Sequence, residues 1–199
     1  MPPIVGADAL VVLGGSMSCQ DDAEAPWLAP TRQLISRTVR AGTPFLGICL
    51  GHQLATVALG GQVCTSDHFC LGAAEMHLTP EGKKDPLLSV YDGHRGIHFN
   101  NDVAVVLPED AVLLARDPTG QIEAVRFAER AWGVQFHPEC TPEIFDAWTI
   151  GHGEKEWQQR LPWSEAVTVA ETVRRDIDTV NAEEAFAARF QELIDPEKR

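Results

Sequence analysis

Apolar and polar residues follow one another along the chain in blocks that predict strands and helices in regular succession. Ala9–Leu13 is a continuous apolar run, typical of a strand buried on both faces. Pro26–Arg40 has apolar residues at helical spacing, and Thr43–Leu46 is a second short apolar run. Leu54–Leu59 is an apolar segment that predicts a further helix. Strand, helix, strand and helix in this order predict an α/β fold with a parallel sheet.

The second part of the chain predicts shorter strands and then helices. Between residues 61 and 99, brief apolar stretches such as Gln62–Cys64 predict short strands separated by turns. The next three runs predict a meander, and they are Val103–Leu107, Ala111–Ala115 and Ile122–Phe127. The segments predicted beyond them are a helix over Thr141–Trp148, a loop or short helix over Gly151–Trp163, a helix over Ser164–Val180 and a last helix capped by Asn181.

The composition is that of a globular protein with an acidic surface. Its 199 residues, 44% of them hydrophobic, suit one domain with a sizeable core. The formal net charge of −13 argues against nucleic acid and anionic membranes as partners. No apolar run approaches the roughly 20 residues of a membrane span, and no export leader opens the chain. Together with five cysteines, an odd number, these features predict a cytoplasmic protein.

The segment Gly47–Gln53 places a cysteine between a predicted strand and a predicted helix. The glycines that flank Cys49 would allow a strained turn that projects its sulfur outward. The N-terminus of the following helix would favour the thiolate. Because most free cysteines are small buried hydrophobes, the segment predicts a nucleophile only if a base and an orienting acid lie nearby.

The segment Phe136–Glu139 supplies candidates for both of these groups. A predicted strand ends in His137, and Glu139 follows two positions later. Side chains at i and i+2 of an extended chain point to the same side, and Pro138 restricts the turn between them. Glu139 can therefore hold one ring nitrogen of His137 and leave the other to face a thiol. The alternative is a histidine at the end of a strand that pairs with its neighbour and has no catalytic role.

Three motifs in this order resemble those of class I, triad-type glutamine amidotransferases, and they are Gly14-Gly15, Gly47–Gln53 and Phe136–Glu139. The closer resemblance is to the free-standing bacterial members that are described as GMP synthase-like. The family implies a flavodoxin-like, three-layer α/β sandwich with a mostly parallel sheet. It also implies hydrolysis of the side-chain amide of glutamine, without a metal or another cofactor.

The resemblance assigns a role to each matching residue. Cys49 is the implied nucleophile, His137 the base and then the acid, and Glu139 the group that orients His137. The backbone N–H groups of Gly15 and Leu50 would form the oxyanion hole. The implied substrate-binding residues are Gln53, Asn101 and Asp102.

The segment Asn100–Asp102 departs from the pattern of the family. Many relatives have His-Gly-Asp at this position, where the backbone grips the amino-acid end of the substrate. Glutamine and a γ-glutamyl amide or peptide therefore both remain open as substrates. A binding or regulatory module with weak or no catalysis is the third alternative.

The resemblance also implies boundaries and partners. We expect one domain over residues 1–199, with the motifs in 8–148 and a C-terminal helical extension over 151–199. Relatives usually pass ammonia to a synthetase, so a separate synthetase or ligase subunit is the implied partner. Family members normally have a strand, a helix and a strand before the segment that matches Asp8–Gly15. We therefore expect an uncovered sheet edge at Ala9–Leu13, through which the chain self-associates.

Overall fold

The computed structural model describes residues 7–149, 163–177 and 182–195, which form a sheet flanked by helices. The strands are β1 (Leu10–Val12), β2 (Phe45–Ile48), β3 (Gln62–Glu75), β4 (His77–Leu78), β5 (Arg95–Val106), β6 (Val112–Arg116), β7 (Ile122–Ala128) and β8 (Ala131–Val134). The α-helices are α1 (Leu28–Arg40), α2 (Leu50–Ala58), α3 (Pro142–Thr149), α4 (Trp163–Ile177) and α5 (Glu183–Ile194), and short 3₁₀ helices cover Gly82–Lys84 and Leu88–Tyr91.

Six of the strands form one mixed sheet in the order β1-β2-β8-β7-β6-β4. The pairs β1–β2 and β2–β8 are parallel, and the pairs from β8 to β4 are antiparallel. The predicted α/β architecture is confirmed, and the parallel pairing lies where the candidate catalytic segments are. In the register of β2 and β8, Ile48 lies opposite Val134, so the two strands end at the same edge of the sheet.

Helices cover both faces of this sheet because neighbouring strand residues point to opposite sides. On one face, Phe45 of β2 packs in a core with residues of α1 and α2, among them Ile35 and Leu54. On the other face, Leu46 packs in a second core that includes Phe186 of α5. The arrangement of helix, sheet and helix is the three-layer sandwich that the family resemblance implies.

Two of the predicted strand assignments are wrong. Residues 61–99 contain a short strand, β4, but Gln62–Cys64 is not one, since it begins the 14-residue strand β3, which pairs with β5 in a separate antiparallel ribbon. Val103–Leu107 is not part of the meander, because residues 103–106 are the end of β5. Pairing between distant segments, rather than local pattern, decides both cases. The remaining meander strands are confirmed as β6 and β7, which continue into β8.

The helices agree with prediction apart from their ends. Helix α1 begins at Leu28 instead of Pro26, and α2 begins at Leu50, four residues before the predicted start. Helix α4 runs from Trp163 to Ile177, while Val180, the cap Asn181 and residues 151–162 of the predicted loop lie outside the described residues. None of the helices in the described ranges combines the length and apolarity that a bilayer crossing demands.

Strand β1 is an edge strand of the described sheet, as expected for Ala9–Leu13. Val11 in the middle of the strand is 45% exposed, and Leu13, the residue after the strand, is 55% exposed. Apolar side chains and unpaired backbone groups at a sheet edge favour pairing with another chain.

Candidate active site

Cys49 lies at a strained turn between β2 and α2. Its backbone angles are φ 50° and ψ −107°, and among the described residues it is the single non-glycine residue with positive φ. Such a conformation is costly for a residue with a Cβ, and it is found mostly where function requires it. The Cys49 N–H donates to the Val134 oxygen at 2.8 Å, and the Cys49 oxygen accepts from the Gln53 N–H at 3.0 Å. These bonds fix the turn between the neighbouring strand and the first turn of α2.

The glycines beside Cys49 have a different role from the one that the sequence predicted. The positive-φ conformation belongs to Cys49 itself and not to Gly47 or Gly51. A Cβ at Gly47 would lie 2.6 Å from the backbone of Gly51, and a Cβ at Gly51 would collide with the backbone oxygen of Val12. The glycines are therefore needed because β1, β2 and the start of α2 approach one another backbone to backbone.

His137 and Glu139 follow β8, which lies beside β2. Because the two strands are parallel, the residues after their ends share one edge of the sheet. The His137 ring is 4% exposed, and its Nδ1–H donates to Glu139 Oε1 at 2.8 Å. The His137 backbone N–H donates to the Ile97 oxygen at 2.8 Å, which attaches the segment to β5. The structure thus places a carboxylate on Nδ1 and leaves Nε2 for another partner.

The Cys49 thiol and the His137 ring are close neighbours. A Cβ built on Gly14 would lie 3.6 Å from Cys49 Cβ and 2.9 Å from His137 Cε1, so both side chains border the same glycine. Nε2 of His137 is buried without a partner in hydrogen-bond geometry among the described residues, although Cys49 is near enough to act on the charge of the ring. Burial opposes protonation, but the nearby Cys49 sulfur and the Glu139 carboxylate favour the charged ring and raise the pKa of His137 to about 9. These two neighbours thus favour the imidazolium form of the ring.

An open cleft of about 270 Å³ leads to Cys49. It lies between the loop after β1, the start of α2 and the ribbon of β3 and β5. The Gly15 backbone is held close to α2, since a Cβ there would lie 2.7 Å from Leu50 Cδ2. The residues that line the cleft are Gly15, Ser16, Met17, Ser18, Cys49, Gln53, Thr65, Phe69, Phe99, Asn100, Asn101 and Asp102.

All three residues that the sequence implied for substrate binding lie in this cleft, but two are already engaged. Gln53 Nε2 donates to the Asp102 backbone oxygen at 2.8 Å and to Gln135 Oε1 at 3.2 Å. The Asp102 carboxylate accepts from Ser18 Oγ at 2.6 Å and from Thr65 Oγ1 at 2.9 Å. Sequence reasoning missed these partners, because no local pattern relates residues so far apart along the chain.

A buried ion pair, also absent from the sequence predictions, lies close to the segment of His137. His98 Nε2 is 2.6 Å from Glu123 Oε2, and His98 Nδ1–H donates to the Gly96 oxygen at 3.0 Å. Both side chains are almost fully buried. Although burial lowers the pKa of His98, the charge and hydrogen bond of Glu123 outweigh it and raise the pKa. The pair supports β5 beside the Ile97 oxygen that His137 uses.

Two ring contacts near the site involve histidines. His52 is fully buried in α2 and stacks on Phe127 with ring centroids 5.8 Å apart. Burial lowers the pKa of His52 to about 4, so it is a neutral core residue. The His137 ring meets Trp148 of α3 edge to face at 4.6 Å, a contact that the sequence did not suggest. In the described ranges, no three His, Cys, Asp or Glu side chains converge in the way a metal site requires.

Comparisons with known proteins identify the family of the chain. The family model "Glutamine amidotransferase class-I" matches residues 3–151, more than half of the chain. The chain is 32% identical over 153 residues to the glutamine amidotransferase-like protein YfeJ of Salmonella typhimurium, which is 75% of this chain and 63% of that protein. It is 34% identical over 101 residues to one subunit of the glutamine-hydrolyzing GMP synthase of Methanothermobacter thermautotrophicus, which is 48% of this chain and 51% of that protein. The chain thus spans less than two thirds of the length of these relatives.

A solved structure supports the fold. The glutamine amidotransferase from Methylobacillus flagellatus matches with a TM-score of 0.80 and 24% identity, over 98% of this chain and 80% of that one. The family model covers more than half of the chain, and the chain therefore belongs to the class I glutamine amidotransferase family.

Proposed function

We propose that the chain hydrolyses the side-chain amide of glutamine through a thioester on Cys49 and releases ammonia. The observation that carries the proposal is the arrangement of Cys49, His137 and Glu139 at the common edge of two parallel strands. Cys49 is the nucleophile, His137 the general base and acid, and Glu139 the residue that orients and charges the ring. Membership of the class I family supports the same reaction in general terms.

The reaction needs two proton transfers at one imidazole. Attack of the Cys49 sulfur on the amide carbon forms a tetrahedral intermediate. The N–H groups of Gly15 and Leu50 would donate hydrogen bonds to its oxyanion. As the first residue of α2, Leu50 has no acceptor within the helix for its N–H. The C–N bond then breaks, and ammonia leaves with a proton from His137. Water, deprotonated by His137, attacks the thioester and releases glutamate.

The substrate would enter through the cleft with its amino-acid end towards the ribbon. Asn101 and the backbone near Asp102 would contact the amino and carboxylate groups. Gln53 would offer its side-chain oxygen, because its nitrogen already donates to Asp102 and Gln135. Asn100 Nδ2 donates to the Asp102 oxygen at 3.2 Å, so this asparagine shapes the wall where many relatives have histidine.

Ammonia release from glutamine tests the proposal. The wild-type protein should release ammonia and glutamate in equal amounts, and Cys49→Ala should abolish the release. Cys64→Ala is the matched control, because Cys64 is an exposed cysteine of β3 and not a cleft residue. Equal activity in wild type and Cys49→Ala would contradict the proposal, and so would a wild-type protein that releases no ammonia.

A γ-glutamyl amide or peptide is the second candidate substrate. The observation that favours it is an edge-to-face pair of rings, Phe69 and Phe99, with centroids 5.3 Å apart in the cleft wall. These rings offer apolar surface that the polar end of glutamine does not need. Comparing kcat/KM for glutamine with that for γ-glutamyl anilide decides between the two, since a preference for the anilide above tenfold would favour the second.

The released ammonia would go to an acceptor enzyme on another chain, a synthetase or ligase subunit. Relatives that are named as one subunit of a GMP synthase support this part of the proposal. We keep residues 1–199 as one domain of this kind, with residues 151–199 as a helical extension. The cytoplasmic location stays a prediction.

Self-association would use the β1 edge at Ala9–Leu13. Light scattering should show a species larger than the monomer, and Val11→Lys should return it to the monomer by placing a charge on the exposed edge. A monodisperse wild-type monomer would contradict this proposal without affecting the catalytic one.

A further inference from the structure

The loop that carries Gly15 is attached to the rest of the cleft through one carboxylate. This loop, residues 14–19, joins the end of β1 to the turn before α1 and is called the glycine loop below. Ser18 Oγ donates to Asp102 Oδ2 at 2.6 Å. Thr65 Oγ1 of β3 donates to Asp102 Oδ1 at 2.9 Å. Each carboxylate oxygen thus accepts a hydrogen bond from one hydroxyl group, one in the glycine loop and one in β3.

Asp102 also contacts the helix that begins after Cys49. Its backbone oxygen accepts from Gln53 Nε2 of α2 at 2.8 Å. The residue is 9% exposed, and hydrogen bonds to an ionised acceptor are the stronger kind, especially away from water. One residue of β5 therefore fixes the glycine loop relative to β3 and to the start of α2.

The glycine loop needs such an attachment. It follows a strand of three residues at the edge of the sheet and begins with two glycines, which restrict the backbone angles less than other residues do. A donor that serves an oxyanion must stay within about 0.5 Å of its position. Ser18 is three residues from Gly15, so its bond to Asp102 limits where the Gly15 N–H can lie.

We propose that Asp102 is a positioning residue, which acts through Ser18 to hold the Gly15 N–H at the oxyanion position. The inference rests on the proposed function, because the oxyanion role of Gly15 belongs to that mechanism. It differs from the role of a substrate ligand, since the carboxylate acts on the glycine loop through Ser18.

Other contacts of the same chain segment hold a different part of it. Gln20 Nε2 donates to the Val63 oxygen of β3 at 3.0 Å, and Arg32 Nη1 donates to the Cys19 oxygen at 2.7 Å. These bonds attach the far end of the loop and the residue after it. Gln20→Ala is therefore a matched control: it removes one hydrogen bond to the ribbon and leaves the bond between Ser18 and Asp102.

The test compares Ser18→Ala, Ser18→Thr and Gln20→Ala with wild type in the full chain. The measured quantities are kcat and KM for glutamine and the inhibition constant of glutamate γ-semialdehyde, whose aldehyde would form a thiohemiacetal oxyanion on Cys49. Loss of a whole oxyanion donor costs about 100- to 1000-fold in kcat, so a loosened donor should cost on the order of 10- to 100-fold. For Ser18→Ala we expect that loss, a similar weakening of the aldehyde and an unchanged KM. Ser18→Thr should restore most of both, and Gln20→Ala should retain both.

Three results would overturn the inference: a rise in KM with unchanged kcat for Ser18→Ala, unchanged kinetics in that variant, or equal losses in Ser18→Ala and Gln20→Ala. The first would make Ser18 and Asp102 substrate ligands, and the last would indicate general loosening of the segment. If wild type releases no ammonia, the proposed function fails, and amide hydrogen exchange then decides the positioning alone. Faster exchange at residues 15–17 in Ser18→Ala supports it, and unchanged exchange overturns it.

Discussion

Replacing Glu139 by glutamine tests how His137 obtains its charge. The substitution keeps the size of the side chain, and the amide oxygen can still accept from Nδ1–H, which now donates to the carboxylate at 2.8 Å. Only the negative charge and the strength of that bond are lost. The variant therefore separates charge from shape.

The expected magnitude follows from the pKa of His137. Burial opposes protonation, and Cys49 and Glu139 together outweigh it and raise the pKa to about 9. Without the Glu139 charge, we expect the pKa to fall by at least about one unit, or roughly 1.4 kcal/mol. Ammonia leaves with a proton from His137, so the alkaline limb of kcat/KM should lie near pH 9 in wild type and at lower pH in the variant. At neutral pH we expect kcat to fall on the order of 100-fold, because the ring is also less firmly oriented.

The assay is ammonia release from glutamine between pH 5.5 and 10, with the rate of Cys49 alkylation by iodoacetamide as an independent report of the thiolate. Glu143→Gln is the matched control, since it removes the same charge from a solvent-exposed carboxylate in the first turn of α3. That carboxylate accepts a hydrogen bond from Thr141 Oγ1. If Glu139→Gln keeps the wild-type rate and the wild-type alkaline limb, the assigned role of Glu139 is refuted.

Two further predictions concern stability. Gly51→Ala should prevent normal folding, because its Cβ would collide with the backbone oxygen of Val12. Overpacking against rigid backbone costs about 3 kcal/mol or more. Soluble expression and circular dichroism check this prediction, and a variant with native-like structure would contradict the close approach. Glu123→Gln should lower the free energy of unfolding in urea by about 3 kcal/mol, because it leaves His98 buried without its ionic partner. The raised pKa of His98 means that this contribution is complete below the ordinary histidine range and is lost as the pH rises through the folded-state value, so the difference between the two proteins should shrink in alkaline buffer.

The candidate catalytic segments could be located from sequence because their signals are local. A cysteine between a strand and a helix, and Glu139 two positions after His137, need only a few neighbouring residues to be recognised. The parallel pairing of β2 and β8 then brings the two segments together. The α/β fold was predictable for the same reason, since each strand and helix has its own apolar pattern.

The rest depends on contacts between distant parts of the chain. The role of Gly51 is visible only when the backbone of Val12 lies beside it. The long ribbon requires β3 and β5 to pair across about thirty residues, which no short window reveals. The bond between Ser18 and Asp102 joins residues 84 positions apart, and nothing in either neighbourhood indicates the other.

Trapping the covalent intermediate tests the central claim most directly. Wild-type protein is mixed with glutamine, quenched in acid within one turnover and digested, and the peptide that contains Cys49 is measured by mass spectrometry. We expect a γ-glutamyl group on Cys49 that hydroxylamine removes and that is absent from Cys49→Ala. Ammonia release without any acyl group on Cys49, or with the group on another residue, would contradict the thioester mechanism.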